Sequence, residues 1–326
     1  MSSLDRSDAI RPPEGTPDQG IAWHFGDPHR EQRALSEGRG VVDLSNRGVI
    51  TVAGADRIGW LHTLTTQHVE NLQPGQSALA LILSPNGHVE HELHIVDDGT
   101  ITWLIVEPGT QAELVDYLRR MQFMLRVEVA DVTEAYAVVW EPIPAVDPGY
   151  PTYVIPEALA ARGFSGREVI IPRAELAARL ESAEIVAGTW ALEALRAAAG
   201  VPRLRFETDH RTIPHEVGWI GPAVHLQKGC YRGQETVARV QNLGKPPRRL
   251  AILHVDGSAE IVPRHCDRVF YQDKEIGWIG TGARHYELGP VATAILKRNV
   301  PVDAELIIRT AEGDVSASQE VVVSAD

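Results

Sequence analysis

Between residues 87 and 96 the chain alternates with a period of two. Val89, His91, Leu93 and Ile95 fall on one face, and His88, Glu90, Glu92 and His94 on the other. That period argues a strand. Residues 101–106 (ITWLIV) supply a partner across Asp98-Gly99, a strong hairpin signal. Further strands are predicted at 48–52 (GVITV), 78–83 (ALALIL), 137–140 and 169–171. Helical spacing marks residues 56–64, where Ile58, Trp60, Leu61 and Leu64 share a face and Asp56 is a candidate cap. It also marks 29–38, 111–125 (Leu114, Leu118, Met121, Leu125), 174–182, and 189–199 stopped by Gly200 and Pro202.

After Arg249 the texture changes to short strands at 250–255, 267–271, 275–279, 291–296 and 306–309. Such close spacing predicts a small β-barrel or sandwich. Strands and helices mix irregularly before that point, which favours an α+β fold over a doubly wound parallel sheet. The predicted organisation is therefore a flexible segment at 1–28, an α+β region at 29–244, and a C-terminal antiparallel β-barrel at 245–326. The α+β region divides into two subdomains near 140–165, where Pro and Gly concentrate. The boundary before the barrel falls at Lys245-Pro246-Pro247.

The 326 residues exceed one ordinary core, in agreement with several domains. A net charge of −13 opposes non-specific contact with phosphate backbones and anionic membranes, so direct nucleic-acid binding is disfavoured. No apolar run approaches the roughly 20 residues that cross a bilayer, and no secretory pattern opens the chain. With only two cysteines, Cys230 and Cys266, there is neither a disulfide framework nor a Cys-x-x-Cys zinc pair. A reducing cytoplasm is the simplest setting.

Several chemistries lack their motifs. There is no G-x-G-x-x-G after a strand, no phosphate loop (Gly244-Lys245 runs into Pro246), no G-x-S-x-G elbow and no H-E-x-x-H. His88, Glu90, Glu92 and His94 share a strand face and offer metal donors. Residues two apart on a strand lie roughly 6.5–7 Å from each other, so one ion does not reach all four, and a solvated face is the better reading. No metal site is predicted. His91 falls on the apolar face instead, either as a satisfied core histidine or as a group lining an internal pocket.

Residues 227–239 (QKGCYRGQETVAR) carry the strongest signal. Gly229 and Gly233 permit a tight turn that presents Cys230, and Lys228, Arg232 and Arg239 bring positive charge that favours a thiolate. These polar neighbours argue against deep apolar burial, the usual fate of a free cysteine. Cys266, beside His265 and Asp267, has no such setting and reads as structural. A second polar concentration precedes the motif: Glu193, Arg196, Arg203, Arg205, Glu207, Asp209, His210, Arg211, and Pro214-His215-Glu216. It reads either as a solvated loop or as a site for an acidic ligand with a hydrogen-bonding head group.

The string Lys228-Gly229-Cys230-Tyr231-Arg232-Gly233-Gln234-Glu235 resembles the K-G-C-Y-x-G-Q-E signature of the YgfZ family, folate-binding proteins related to the glycine-cleavage aminomethyltransferase. Residues 60–67 (WLHTLTTQ), 83–89 (LSPNGHV), Leu195-Arg196 with Gly200-Val201-Pro202, and Gly277-Trp278-Ile279-Gly280 extend the resemblance along most of the chain. It implies an aminomethyltransferase-like architecture whose central funnel binds tetrahydrofolate or a derivative, and a part in assembling or maintaining iron–sulfur proteins. In some members it implies an effect on tRNA thiomodification. Cys230 corresponds to the family's functional cysteine.

Two positions depart from the aminomethyltransferase pattern. His91 followed by Glu92 stands where that enzyme has a catalytic aspartate, and Ala198 stands where it has a pterin-binding glutamate. Both losses argue against true aminomethyl transfer, with Glu193 or Glu216 as candidates to replace the pterin contact. The candidate functional residues are Cys230 and His91. Glu193, Arg196, Glu216, Lys228, Tyr231, Gln234, Glu235 and Arg239 are candidates to hold the cofactor. Expected partners are folate and iron–sulfur clients or assembly factors. The alternatives are a folate-dependent one-carbon transferase using His91 as base, and a partner module for tRNA-modifying enzymes.

Overall fold

The structure, a computed structural model, describes residues 2–14, 16, 18–143 and 149–324. Its fold is the expected α+β arrangement with a closed C-terminal barrel, built on two five-stranded sheets and one six-stranded antiparallel barrel. One sheet runs in the order Ser77–Leu83, Val89–Asp97, Ile101–Val106, Gly48–Ala53, Glu128–Asp131, and every pairing is antiparallel. Helices Arg57–Leu64 and Gln111–Met121 cover one of its faces, burying Trp60, Leu61, Leu114 and Leu118 against Ile50, Leu93 and Ile95.

The second sheet runs Val186–Ala187, Val41–Asp43, Tyr136–Glu141, Arg167–Pro172, Thr152–Val154. Helix Leu176–Glu181 closes one side through Leu176 and Leu180, which pack on Val139 and Val169. The opposite faces of both sheets meet in one shared core containing Leu79, Leu81, Val96, Ile105, Val138, Trp140 and Ile170. Helix Thr189–Ala198 enters that core with Ala191 and Leu192 and turns Ala194 and Ala197 onto Ala283 and Val291 of the barrel. Small side chains on both partners let helix and barrel approach closely.

The barrel order is Arg248–Val255, Gly289–Lys297, Lys274–His285, Arg268–Tyr271, Leu306–Thr310, Gly313–Val321, and closure leaves no open edge. It begins directly after the Pro246-Pro247 boundary.

Three expectations change. Residues 2–14, 16 and 18–28 are anchored to the fold at several points: the Ser3 N–H donates to Asp43 at 2.8 Å, Ile10 bridges His24, and Asp18 pairs with Arg203. Local polarity concealed this, because the partners lie far along the chain. The change of sheet falls between Asp131 and Tyr136, not at 140–165, since Tyr136–Glu141, Thr152–Val154 and Arg167–Pro172 all pair within one sheet. Residues 144–148 of that stretch lie outside the described residues. Finally, the third helix ends at Met121, and Phe123 takes a left-handed φ of 45°. The Asp56 carboxylate, at an N-cap position, makes no cap bond and instead accepts from the Arg126 backbone and guanidinium.

Candidate functional site

The residues singled out by the sequence divide between two places, a surface loop and an internal cleft. The loop is built by glycines. Gly233 has φ +81°, and a Cβ there would lie 2.6 Å from the Ser84 carbonyl oxygen and 2.9 Å from Gly87 Cα. Gly87 has φ +78°, and its own Cβ would lie 2.7 Å from Thr236 Cβ. Only glycine permits both conformation and approach. The 83–89 and 228–235 motifs, about 145 residues apart, are therefore two sides of one junction.

Cys230 is exposed on this loop. Gln234 and Glu235 open helix Gln234–Leu243, which buries Val237. Tyr231 is buried, and its ring lies 5.4 Å from Lys228 Nζ.

The three cations expected around the thiol are deployed differently. Lys228 points inward, and its ammonium donates to the carbonyls of His62, Thr65 and Gln67, which ties the loop to the end of helix Arg57–Leu64. Burial lowers its pKa to about 8. Arg232 donates to Glu90 at 2.9 Å and covers the Tyr117 ring at 5.6 Å. Arg239 is exposed on helix Gln234–Leu243. Cys266 is also exposed, at a left-handed turn with φ 69°, so its sulfur does not fill a core.

The cleft lies between the two sheets and the loop after helix Thr189–Ala198, and its free volume is about 50 Å³. Its apolar walls include Leu79, Trp140, Tyr153, Phe164 and Leu192. Its polar wall is a connected array of buried charges. Arg203 donates to Asp18 at 2.8 Å and to Glu107 at 2.9 Å, and lies 3.3 Å from Glu193. Arg47 donates to Glu107 at 2.8 Å. Arg196 donates to Glu193 at 2.8 Å, to Glu207 at 3.1 Å and to the Thr281 hydroxyl at 2.5 Å. Glu207 is fully buried and also accepts from the hydroxyls of Thr281 and Thr293, so the array reaches into the barrel. Gly280 permits this contact, since a Cβ there would sit 2.6 Å from Glu207 Oε1.

His94 and Glu168 complete the wall, with Nδ1 2.7 Å from Oε2. Burial opposes the His94 charge, but Glu168 and Glu92 outweigh it and raise its pKa to about 9. Burial likewise opposes ionisation of Glu168, yet His94 and Arg47 hold it well below the usual carboxylate range. Asp18 and Glu193 are also lowered: burial is overcome by Arg203 for the first and by Arg196 and Arg203 for the second. His94 stacks on Tyr153 with ring centroids 4.1 Å apart. Two donors remain unused here. The Trp140 indole N–H and the Arg47 Nε are buried without a hydrogen-bond partner. Such orphans are rare in folded proteins.

Of the candidate residues, Glu193 and Arg196 line the cleft, and the others do not. His91 is buried on the opposite face of its strand, with its ring centroid 6.2 Å from that of Tyr117. Burial lowers its pKa to about 4, leaving it neutral. Glu216 is fully buried but serves the barrel junction, accepting from Arg248 and from the Ile213 N–H. Glu92 and His94, read as a solvated face, belong to the cleft instead. A register shift at Ile82/Leu83 places Val89 opposite Leu83 and His91 opposite Ile82, so Glu90 is the extra residue. Val89 and Val96 then point to the shared core, and His91 shares a face with Leu93 and Ile95. Arg47, Glu107, Trp140 and Glu168 escaped sequence reasoning, since Trp140 and Glu168 sit singly within strands, Arg47 and Glu107 just outside strand ends, and none belongs to a local motif.

Known proteins agree with this architecture. Residues 21–140 match the family model described as the GCVT N-terminal domain. The glycine cleavage system aminomethyltransferase T from Bartonella henselae superposes with a TM-score of 0.80 over 98% of this chain and 94% of that chain, at 15% identity. An aminomethyltransferase of Lysinibacillus sphaericus is 24% identical over 288 residues, covering 78% of this chain and 77% of its own. A chloroplastic protein of Arabidopsis thaliana, provisionally named as a transferase, is 26% identical over 274 residues, 74% of this chain. The match spans only 62% of that plant protein's length. The fold is thus aminomethyltransferase-like, and residues 21–140 of it are similar to the GCVT N-terminal domain. Among the described residues no helix is long and apolar enough to cross a membrane.

Proposed function

We propose that this protein binds a reduced folate in the central cleft and serves iron–sulfur proteins through Cys230, in the manner of the YgfZ family. The observation that carries the reading is the exposed Cys230 on a loop held by the Gly87–Gly233 contact. Two built-in glycines keep this sulfur at the surface, where a client or a cluster can reach it.

A flat, polar heterocycle matches the chemistry of the cleft walls, and the cleft's free volume of about 50 Å³ has to widen to admit it. Trp140 Nε1 offers a donor without a hydrogen-bond partner, Arg47 Nε pairs with Glu168 only at 4.0 Å, and Glu193 offers a carboxylate for ring N–H groups. Tyr153 and Phe164 supply apolar faces. The six carboxylates of the array (buried Asp18, Glu92, Glu107, Glu168 and Glu207, and half-buried Glu193) outnumber Arg47, Arg196, Arg203 and His94, so the acidic tail of a folate belongs toward the opening, not in the array. Bound tetrahydrofolate would supply a one-carbon carrier. This chain's residues orient it and exclude water.

The test is calorimetric titration of the full chain with tetrahydrofolate. Binding that is lost in Trp140→Phe and kept in Cys230→Ser supports the assignment, and no binding by the parent chain refutes it. A one-carbon transferase is the second reading, favoured by the place of Glu92 in the cleft and by relatives named as aminomethyltransferases. Its base would be Glu92, because His91 faces away from the cleft. Turnover of an aminomethyl or N-methyl donor that disappears in Glu92→Gln would establish it. A role as partner module for tRNA-modifying enzymes calls for neither folate nor turnover, so folate binding counts against that version.

A further inference from the structure

Helix Arg57–Leu64 ends in a histidine-rich turn that none of the chemistry above uses. His62 lies in the helix's last turn, and His68 and Glu70 follow in the loop. One ligand atom each from His62, His68 and Glu70 lie within 4.8 Å of one another. His225 joins them from the approach to the Cys230 loop. Its ring centroid is 5.4 Å from that of His68, and the His62 and His68 rings are 4.7 Å apart.

Three features show that this is a formed cluster. Nδ1 of His62 and Nδ1 of His225 are buried and lack any hydrogen-bond partner, a state that buried imidazoles rarely tolerate. The loop is fixed from behind. The His225 N–H donates to the Thr66 carbonyl at 3.0 Å, and Lys228 binds the carbonyls of His62, Thr65 and Gln67. The Asn71 side-chain amide meets His68 Nε2 at 3.1 Å and holds that ring; turned with its oxygen to the ring, it would accept the Nε2 proton and leave Nδ1 for a metal.

From this geometry we propose that His62, His68 and Glu70, with His225 beside them, bind a first-row divalent transition metal. Imidazole nitrogens with a single carboxylate select zinc, iron(II), cobalt or nickel over magnesium and calcium, which take oxygen donors. Bonds of roughly 2.0–2.2 Å need donor atoms closer than they now lie, and the Glu70 carboxylate, 60% exposed, is free to swing inward. Three protein donors leave one position of a tetrahedral site open. The metal would sit beside the segment that carries Cys230, linked to it by His225 and Lys228. This inference stands apart from the folate reading, since none of its residues lines the cleft.

The experiment uses the full chain, stripped with a chelator and titrated with zinc chloride against a chromogenic competitor. One equivalent of zinc is expected to bind, and His68→Ala and Glu70→Gln are expected to weaken it at least about 100-fold, since even outer-shell losses cost 10–100-fold. Glu70 is exposed, so Glu70→Gln leaves folding intact, and circular dichroism verifies both variants. His254→Ala, a barrel histidine paired with Glu320, is expected to bind as the parent does. Absence of stoichiometric zinc binding, or parent-like affinity in folded His68→Ala and Glu70→Gln, overturns the site.

Discussion

Two glycines flank Cys230, and the structure separates their roles sharply enough to measure. At Gly229 an added Cβ meets nothing within 4 Å and the backbone is not left-handed. At Gly233 φ is +81°, and the Cβ would overlap the Ser84 carbonyl oxygen at 2.6 Å, Gly87 Cα at 2.9 Å and Gly87 N at 3.1 Å. Left-handed backbone costs alanine about 1–2 kcal/mol. Overpacking against backbone that cannot rotate away adds about 1–3 kcal/mol. Gly233→Ala should therefore destabilise the junction by about 2–5 kcal/mol, and Gly229→Ala by less than about 0.5 kcal/mol.

Chains with several cores need not unfold in one step, so a local readout is preferable. The Gly87 amide donates to the Ser84 carbonyl at 2.9 Å within the turn that Gly233 packs on, and its hydrogen exchange reports opening of that turn. At 1.4 kcal/mol per decade, Gly233→Ala should accelerate that exchange roughly 30- to 4,000-fold, and Gly229→Ala less than about threefold. Gly233→Asn is a useful third variant, because asparagine tolerates left-handed backbone but still carries the offending Cβ. It should rescue little. Equal exchange in Gly233→Ala and Gly229→Ala would refute the junction.

The remaining expectations concern the cleft and its charges. By NMR, His94 should titrate near pH 9 and His91 near pH 4. Two midpoints near 6.5 would contradict both environments. The sign for stability follows. The His94 contribution is complete below its unfolded value of about 6.5 and is lost as pH rises through about 9, so His94→Gln should flatten the alkaline limb of a denaturation profile. His91, depressed by burial, instead removes stability as pH falls from about 6.5 toward 4, and His91→Leu should flatten the acid limb. Glu207→Ala leaves the Arg196 guanidinium short of a buried partner and should cost about 3–5 kcal/mol in chemical denaturation, with Glu207→Gln milder. Gly166→Ala places a Cβ 2.3 Å from the Trp140 ring and should lower tetrahydrofolate affinity at least about tenfold by displacing the indole, as calorimetry would register.

Much of the fold was written in periodicity. Val89–Asp97 and Ile101–Val106 were legible from alternation and the Asp98-Gly99 turn, and Thr189–Ala198 from its stripe and its Gly200 stop. The barrel boundary was visible at Pro246-Pro247. Elements with no such contrast escaped notice. Val41–Asp43 and Val186–Ala187 are too short for any period, and Gly313–Val321 mixes small and polar residues along a barrel edge that only closure buries.

The signature loop was equally plain, because KGCYRGQE carries its glycines in sequence. What it could not reveal was direction. Lys228 turns inward to carbonyls contributed by residues 62–67, and nothing near residue 228 announces them. The cleft was hidden for the same reason. Its ion pairs join Asp18 to Arg203 and His94 to Glu168, separations of 185 and 74 residues, and a single bulge at Glu90 decides which residues of its strand face inward.

The account rests most heavily on the Cys230 sulfur as the working atom of an iron–sulfur accessory protein. Its most direct test is the activity of several [4Fe–4S] enzymes in a strain lacking this protein, complemented by the parent chain or by Cys230→Ser at equal abundance. The account expects the parent chain to restore those activities and Cys230→Ser to leave them low. Full restoration by Cys230→Ser would contradict it.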